Sequence, residues 1–352
     1  MKQKAWGVII LVGVILFAGA YMFFNNSKPK EVNITGLLGG EKIGMITNPE
    51  FKKYVKKEYG LTMDHRKAGS LQMVEGNTEG QDYLFPSSQL ALELFKKNGN
   101  SSEVDDIVFN TPIVLYSRKV VVDALIKEGI VSVREGTHYV NMEKLAQTIA
   151  SEKSWADIGL PQLYGNVLVD TTDPNKSNSG NMFLGLLANA LNGNQVVDST
   201  NIENIKPQLQ KIYQLIGYMQ SSSSDMFNQF LKQGVGSYPI IAGYENQLLE
   251  FSKQEPEVFN QVKGDVRILY PEPTVWSSHV YIALTPEGKA ALQALKDKEV
   301  QKMAWTQHGF RTVVAGATTG DEFQIDGLAK DVTKVMPMPD IETMLILMET
   351  VQ

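Results

Sequence analysis

Residues 167–191, VLVDTTDPNKSNSGNMFLGLLANAL, restrict the chain to a small set of folds. Val167, Leu168 and Val169 form a short apolar run of the kind a buried strand needs. From Asp170 to Gly180 the chain holds Pro174 and a cluster of Ser, Thr and Asn, a polar turn that ends in helix-start chemistry. Residues 182–191 are apolar and read as a helix. The same order of strand, polar turn and helix recurs along the chain. Val32–Leu38 reads as a strand, followed by the turn Gly39-Gly40-Glu41-Lys42 and an amphipathic helix over Pro49–Tyr59. Leu61–Lys67 and residues 82–85 read as strands, and Pro86-Ser87-Ser88 opens a helix that runs to about Lys97. Residues 106–118 are extended, residues 120–128 and 142–151 helical. Residues 205–220 form a long amphipathic helix, and the serine run 221–224 caps the next one, over 225–233. Residues 237–242 read as a strand leading through Gly243-Tyr244-Glu245 into another helix. Strands over 266–270 and 280–284, a largely helical stretch over 286–308 and a final amphipathic helix over 341–348 complete the chain.

Strands that alternate with helices at this spacing imply a mostly parallel α/β sheet with helices on both faces. Ligands in such sheets bind outside the carboxyl ends of the strands. Four polar turns stand at strand-to-helix junctions, at residues 39–42, 86–88, 170–179 and 243–245, and they are expected to line one cleft.

The first thirty residues are of another kind. Lys2 and Lys4 precede an uncharged stretch from Trp6 to Phe24. Its nineteen residues would span about 28 Å as a helix, close to a bilayer core of about 30 Å. Trp6 and Tyr21 fall where interfacial aromatics lie. A cleaved signal peptide is the alternative, since Ala18-Gly19-Ala20 has the small-x-small form of a cleavage site. The expectation is an uncleaved single-pass anchor, with residues 1–30 as helix and tether and the bulk of the chain extracytoplasmic, held to the cell membrane.

Composition closes off other functions. The chain has no cysteine, hence no disulfide, no thiolate chemistry and no lipid-modified Cys after a signal. Net charge is −6 and no Lys/Arg block appears, which argues against nucleic acid. Lys52, Lys53, Lys56 and Lys57 are interleaved with Phe51, Tyr54 and Val55, as on a solvated helix face. His65, His138, His279 and His308 are scattered, and there is no His-Glu-x-x-His helix and no Gly-x-Ser-x-Gly elbow. Asp173, Asn175 and Ser177 imitate the start of a calcium loop, but Asn178 takes the glycine position and Leu184 the bidentate one. Catalytic residues, metal ligands and cofactors are therefore expected to be absent.

In the order and spacing of three segments the chain resembles the type 2 periplasmic-binding-protein fold, the solute-binding proteins of transport systems. DIVFNTPIVLYSRK, from Asp106, looks like the hinge strand that crosses from one lobe to the other. YGNVLVDTTDPNKSNSG, from Tyr164, looks like the second-lobe ligand loop, and VGSYPIIAGYENQLLEF with ILYPEPTVWSSHVYIAL like the return to the hinge. The resemblance covers residues 31–352. It implies a two-lobed α/β fold with central mixed sheets, a discontinuous lobe one (31–115 and 270–352) and a lobe two (116–269). It also implies a solute trapped in between and a membrane permease or surface-complex partner that recognises the closed form.

The expected ligand-binding residues are Gly39, Gly40, Glu41, Ser87, Ser88, Ser177, Asn178, Ser179, Tyr244, Glu245 and Trp276. Ser177, Asn178 and Ser179 would donate to ligand oxygens at a positive helix end, although helix capping alone accounts for the same residues. Gly39 and Gly40 permit close backbone approach or a simple turn. Ser87 and Ser88 can cap a helix or reach the cleft. Glu245 is favoured electrostatically where a helix begins, or would meet a cation, an amine or a protonated oxyanion. Tyr244 and Trp276 would wall the ligand or pack the interior. The expected solute is a small oxyanion or small polar metabolite. The rival expectation is a two-lobed scaffold or sensor subunit that has lost its ligand.

Overall fold

The computed structural model describes residues 29–312 and 322–352. The membrane-helix expectation over residues 6–24 lies outside them. No described helix is long and apolar enough to cross a membrane.

In chain order, β1 (Val32–Leu38) leads through a 3-10 turn (Gly40–Lys42) to α1 (Ile43–Thr47), α2 (Pro49–Tyr59), β2 (Leu61–Lys67), α3 (Gln72–Glu75), β3 (Tyr83–Phe85) and α4 (Gln89–Lys97). The long strand β4 (Val104–Arg118) follows, then α5 (Lys119–Lys127), the hairpin β5 (Val131–Arg134) and β6 (Thr137–Asn141), and α6 (Met142–Ala150). Three helices come next: α7 (Asn178–Leu191), α8 (Ile202–Ile216) and α9 (Ser223–Lys232). The chain continues with β7 (Ile240–Tyr244), α10 (Glu245–Gln254), α11 (Pro256–Val262), β8 (Val266–Glu272) and β9 (Trp276–Ala283). It ends with α12 (Pro286–Leu295), α13 (Lys298–His308), β10 (Arg311–Thr312) and α14 (Ile341–Thr350).

The strands run in the order β2-β1-β3-β9-β4-β8-β6-β5, with β7 and β10 also paired to β4. β1 pairs in parallel with β2 and β3, and β6 with β8, whereas every partner of β4 is antiparallel. The sheet is therefore mixed. β4 divides it: up to Pro112 the strand pairs with β9 and β10, and from Ile113 onward with β7 and β8. Its fifteen residues extend for about 50 Å, enough to serve two sheets in turn. The chain crosses back between β8 and β9.

One apolar cluster is confined to the first half and one to the second, and a third, on the other face of the second, runs on to Leu84, Leu90 and Phe95 of the first. Phe51, Phe85, Phe109, Tyr281 and Phe310 fill the first. Tyr116, Phe227, Phe230 and Tyr270 pack one face of the second, and Trp155, Phe183 and Leu187 the other. Helix α7 is buried along nearly its whole length, because α6, α8 and α14 surround it. α14 belongs by position to 270–352, yet it packs on α7 and α8 as well as α4, joining the two halves on one side. The expected strand at 167–169 is extended and buried but makes no ladder. Its continuation meets the neighbouring elements only through isolated bridges, Asp170 to Ile241 and Thr172 to Gln220.

Candidate functional site

The site begins at the end of β1. Gly39 and Gly40 turn the chain into the 3-10 turn that carries Glu41 and Lys42. Glu41 folds back against Gly39, and a side chain at Gly39 would collide with that carboxylate. Lys42 is fully buried and donates to Glu41, to Ser87 Oγ at 2.6 Å and to His279 Nδ1 at 3.1 Å. An ammonium only donates, so His279 Nδ1 accepts and the ring proton sits on Nε2, which has no partner among the described residues. Burial alone would raise the Glu41 carboxyl, but the charges and hydrogen bonds of Lys42, His279 and Ser87 outweigh it and hold the group at about 2. Burial and the Lys42 charge push His279 well below its ordinary value, so the ring is neutral.

The opposite wall is the start of α7. Ser177 is its N-cap but makes no side-chain cap bond to the helix, so the first-turn N–H groups are left to other acceptors. Asn178 reaches across the cleft: its Nδ2 donates to Ser87 O at 3.0 Å and to the Tyr244 hydroxyl at 2.9 Å. Burial raises the Tyr244 phenol well above its ordinary value, with the Glu41 charge adding to it, so Tyr244 stays neutral. A third wall is the start of α9, where Ser222 is the N-cap. Lys67, at the end of β2, donates to Ser222 Oγ at 2.8 Å and stands 3.7 Å from Asp225.

These walls enclose a cavity of about 310 Å³, near the lower end for small-molecule sites. Of the expected ligand-binding residues, Gly39, Gly40, Glu41, Ser177, Asn178 and Tyr244 line it. The starts of two helices, α7 and α9, face one space together with Lys67 and Lys176, an arrangement suited to negative charge.

Five expected residues lie elsewhere. Ser87 is buried beneath the cavity wall as a partner of Lys42, Glu41 and Asn178. Ser88 caps α4 through Leu90 N at 3.1 Å, and with Trp276 it lines a separate depression beside residues 335–340. Ser179 is buried and bonded to Thr172 Oγ1 at 2.8 Å and Ser177 Oγ at 3.1 Å, so it supports the loop. Glu245 is the clear correction. It is fully buried and accepts both Arg311 Nε at 2.6 Å and Nη2 at 2.8 Å, with Tyr270 OH at 2.6 Å. A carboxylate so completely paired fixes α10 to β8 and β10 and has little left for a ligand.

The sequence reading missed Lys67, Lys176, Ser70, Gln72 and the ligand-facing side of Ser221, Ser222 and Ser223. The serine run carried the same helix-start signal as Ser177, but no strand precedes it in the sequence to point it at the cleft. Lys67 stood at a strand's carboxyl end, where the topology rule places ligands. Among the described residues no group of three His, Cys, Asp or Glu stands where a metal would be held.

No protein-family model and no curated protein matches the chain. Solved structures do. The sulfate-binding protein SubI from Mycobacterium tuberculosis H37Rv aligns at 16% identity, over 80% of this chain and 88% of its own, with a TM-score of 0.52. The substrate binding protein of the ABC transporter from Agrobacterium tumefaciens aligns at 14% identity over 93% and 96%, with a TM-score of 0.57. Apo ferric ion-binding protein A from Pasteurella haemolytica aligns at 12% over 91% and 95%, with a TM-score of 0.59. With β4 shared between two halves and a polar cavity between them, the chain has the two-lobed fold of the type 2 periplasmic, or extracellular, solute-binding proteins.

Proposed function

We propose that this protein is a membrane-anchored extracytoplasmic solute-binding protein that traps a small oxyanion or small polar solute between its two halves. The observation that carries this reading is the convergence on one cavity of two helix starts, a glycine turn, the serines 221–223 and Lys67, whose ammonium bonds the lining Ser222. Binding requires no chemistry, only polar groups set in place beforehand. The anchoring part rests on the uncharged stretch from Trp6 to Phe24, and the fold supports a solute-delivery role beside a membrane permease. The structural neighbours bind different solutes by name, sulfate in one and ferric ion in another. The donor-rich lining here supports the anion over the metal ion.

The test is calorimetry of the full-length chain against a panel of oxyanions, amino acids and polyamines. Binding of at least one oxyanion, with a smaller hydrodynamic radius in its presence, is the expected outcome. No heat from any solute, together with an unchanged shape and co-purification of a stable non-permease partner, would replace this reading with the scaffold one.

A further inference from the structure

At one corner of the first half the chain's entry and the lysines of α2 meet. Pro29 and Lys30 lie against Gly60, the C-cap of α2. Val32 N donates to Gly60 O at 2.9 Å, and an added Cβ at Gly60 would stand 2.3 Å from the Lys30 carbonyl oxygen. Five residues, Asn25 to Pro29, separate this corner from the uncharged stretch that ends at Phe24. At full stretch they reach about 20 Å. α2 buries Phe51 and Val55 and turns Lys52, Lys53, Lys56 and Lys57 outward, all four exposed. The carboxylates on the same helix are engaged: Glu58 pairs with Lys57, and Glu50 accepts from Gln307 Nε2 at 2.7 Å. Lys52, Lys53 and Lys56 make no ion pair among the described residues.

Like charges at i and i+4 repel, and this face holds two such pairs, Lys52 with Lys56 and Lys53 with Lys57. The helix dipole accounts for Lys56 and Lys57 in the last turn, but not for Lys52 and Lys53 one turn earlier. A face turned only to water gains from mixed signs, yet this one is cationic in a chain of net charge −6. Anionic phospholipid supplies the missing counter-charge, and its attraction acts within a Debye length of about 8 Å. The short tether keeps the end of α2 within about 20 Å of the bilayer, so docking is an intramolecular step with little freedom left to lose. Resting on the membrane-anchored reading above, we propose that the first half lies on the bilayer through Lys52, Lys53, Lys56 and Lys57, with anionic phospholipid headgroups as the partner. α2 packs along β2, whose carboxyl end carries Lys67 to the cavity. Lying on α2 therefore sets the strands along the membrane plane, and the cleft opens sideways at the surface, where a permease in the same bilayer can meet it.

The experiment is lysine footprinting with an uncharged amine-reactive ester, read by mass spectrometry. The full-length chain is inserted in nanodiscs of phosphatidylcholine, alone or mixed with phosphatidylglycerol. Lys127 and Lys263, exposed on the second half, serve as internal standards. Lys52, Lys53 and Lys56 are expected to label at least about fivefold more slowly in the anionic discs, with the standards unchanged, and to recover at about 1 M salt. A second readout uses the absence of cysteine. A fluorophore on Thr47→Cys, exposed just before α2 and at its end away from the tether, should transfer energy to labelled headgroups more efficiently in the anionic discs. Lys52→Gln, Lys53→Gln and Lys56→Gln together should remove that gain and leave solute binding by calorimetry unchanged, since none of the three lines the cavity. Equal labelling and equal transfer in the two discs, or protection that salt does not relieve, overturns the docking and leaves the anchor and the solute-binding reading standing. Failure of the chain to insert in either disc removes the anchor and the docking together, while calorimetry still decides solute binding by itself.

Discussion

At the scale of single residues, the sequence showed which side chains were polar near a turn, but not which of them would be satisfied by the protein itself. Glu41 and Glu245 look alike in sequence, each beside a strand end and each opening a helical turn. Glu245 meets Arg311, sixty-six positions on, in a two-pronged pair. Glu41 keeps one edge on the cavity. The difference comes from long-range partners that no local pattern encodes. His279 next to Lys42 gives a testable consequence. Its folded pKa lies well below the ordinary 6.5, so the unfolded chain takes up a proton first and folding stability falls as pH drops below about 6.5. His279→Gln keeps an acceptor for Lys42 without titrating, and urea midpoints of the variant are expected to be flatter than wild type between pH 7 and 5. Asp170 shows the opposite sign. Burial raises its carboxyl from 3.8 to about 6, so its contribution is intact below 3.8 and is lost as pH rises through 6. Asp170→Asn should stabilise the protein by about 1–3 kcal/mol at pH 7.5 and have no advantage at pH 3.5, read from urea unfolding at both values.

At the scale of elements, local rules carried far. Asn48, Ser88, Asn141, Ser222, Thr285, Asp297 and Asp340 all accept first-turn N–H bonds at helix starts, which is why so many helix beginnings were legible. The β5–β6 hairpin escaped, because Val131–Arg134 and Thr137–Asn141 are short and largely polar, and β6 acquires its place by pairing with β8. α7 starts one turn earlier than its apolar run, which puts Ser-Asn-Ser-Gly at and within its first turn. Ser177 and Ser179 then separate in role. Ser177→Ala removes a cavity hydroxyl and should weaken binding of the oxyanion found by calorimetry by about five- to tenfold, roughly 1 kcal/mol. Ser179→Ala strands the buried Thr172 hydroxyl and should cost about 1–2 kcal/mol of stability, with little loss of oxyanion affinity. Calorimetry and denaturation on the same two variants check both halves of this expectation.

At the scale of the whole molecule, the two halves are joined on one side by the packing of α14, and across the cleft they meet through specific groups. Asn178 holds Ser87, Lys67 holds Ser222, and Glu250 meets His308 Nδ1 at 2.6 Å. Gly69 permits a close backbone approach of this kind: an added Cβ would stand 2.5 Å from the Lys176 carbonyl oxygen. Gly69→Ala is therefore expected to prop the cleft open while leaving each core intact. Small-angle scattering should show a larger radius of gyration, and oxyanion affinity should fall at least about fivefold because the open form must be closed against the clash. An unchanged radius and affinity would mean that Gly69 and Lys176 do not meet in the working cycle.

By itself the sequence determined the α/β class, most of the strands and helices in their order, and the polar turns from which a binding site could be built. Hydrophobic period and capping chemistry are local, and local spacing survives in a linear string. The tertiary structure alone decided which turns share a cavity and which carboxylate stays unsaturated. It also brought the Ser221–Ser223 run and Lys67, which the sequence had not pointed to, into the cavity beside Ser177 and Asn178. Those outcomes depend on pairs far apart along the chain, brought together by the packing of two halves around β4, and their energies exist only once water has been excluded from between them.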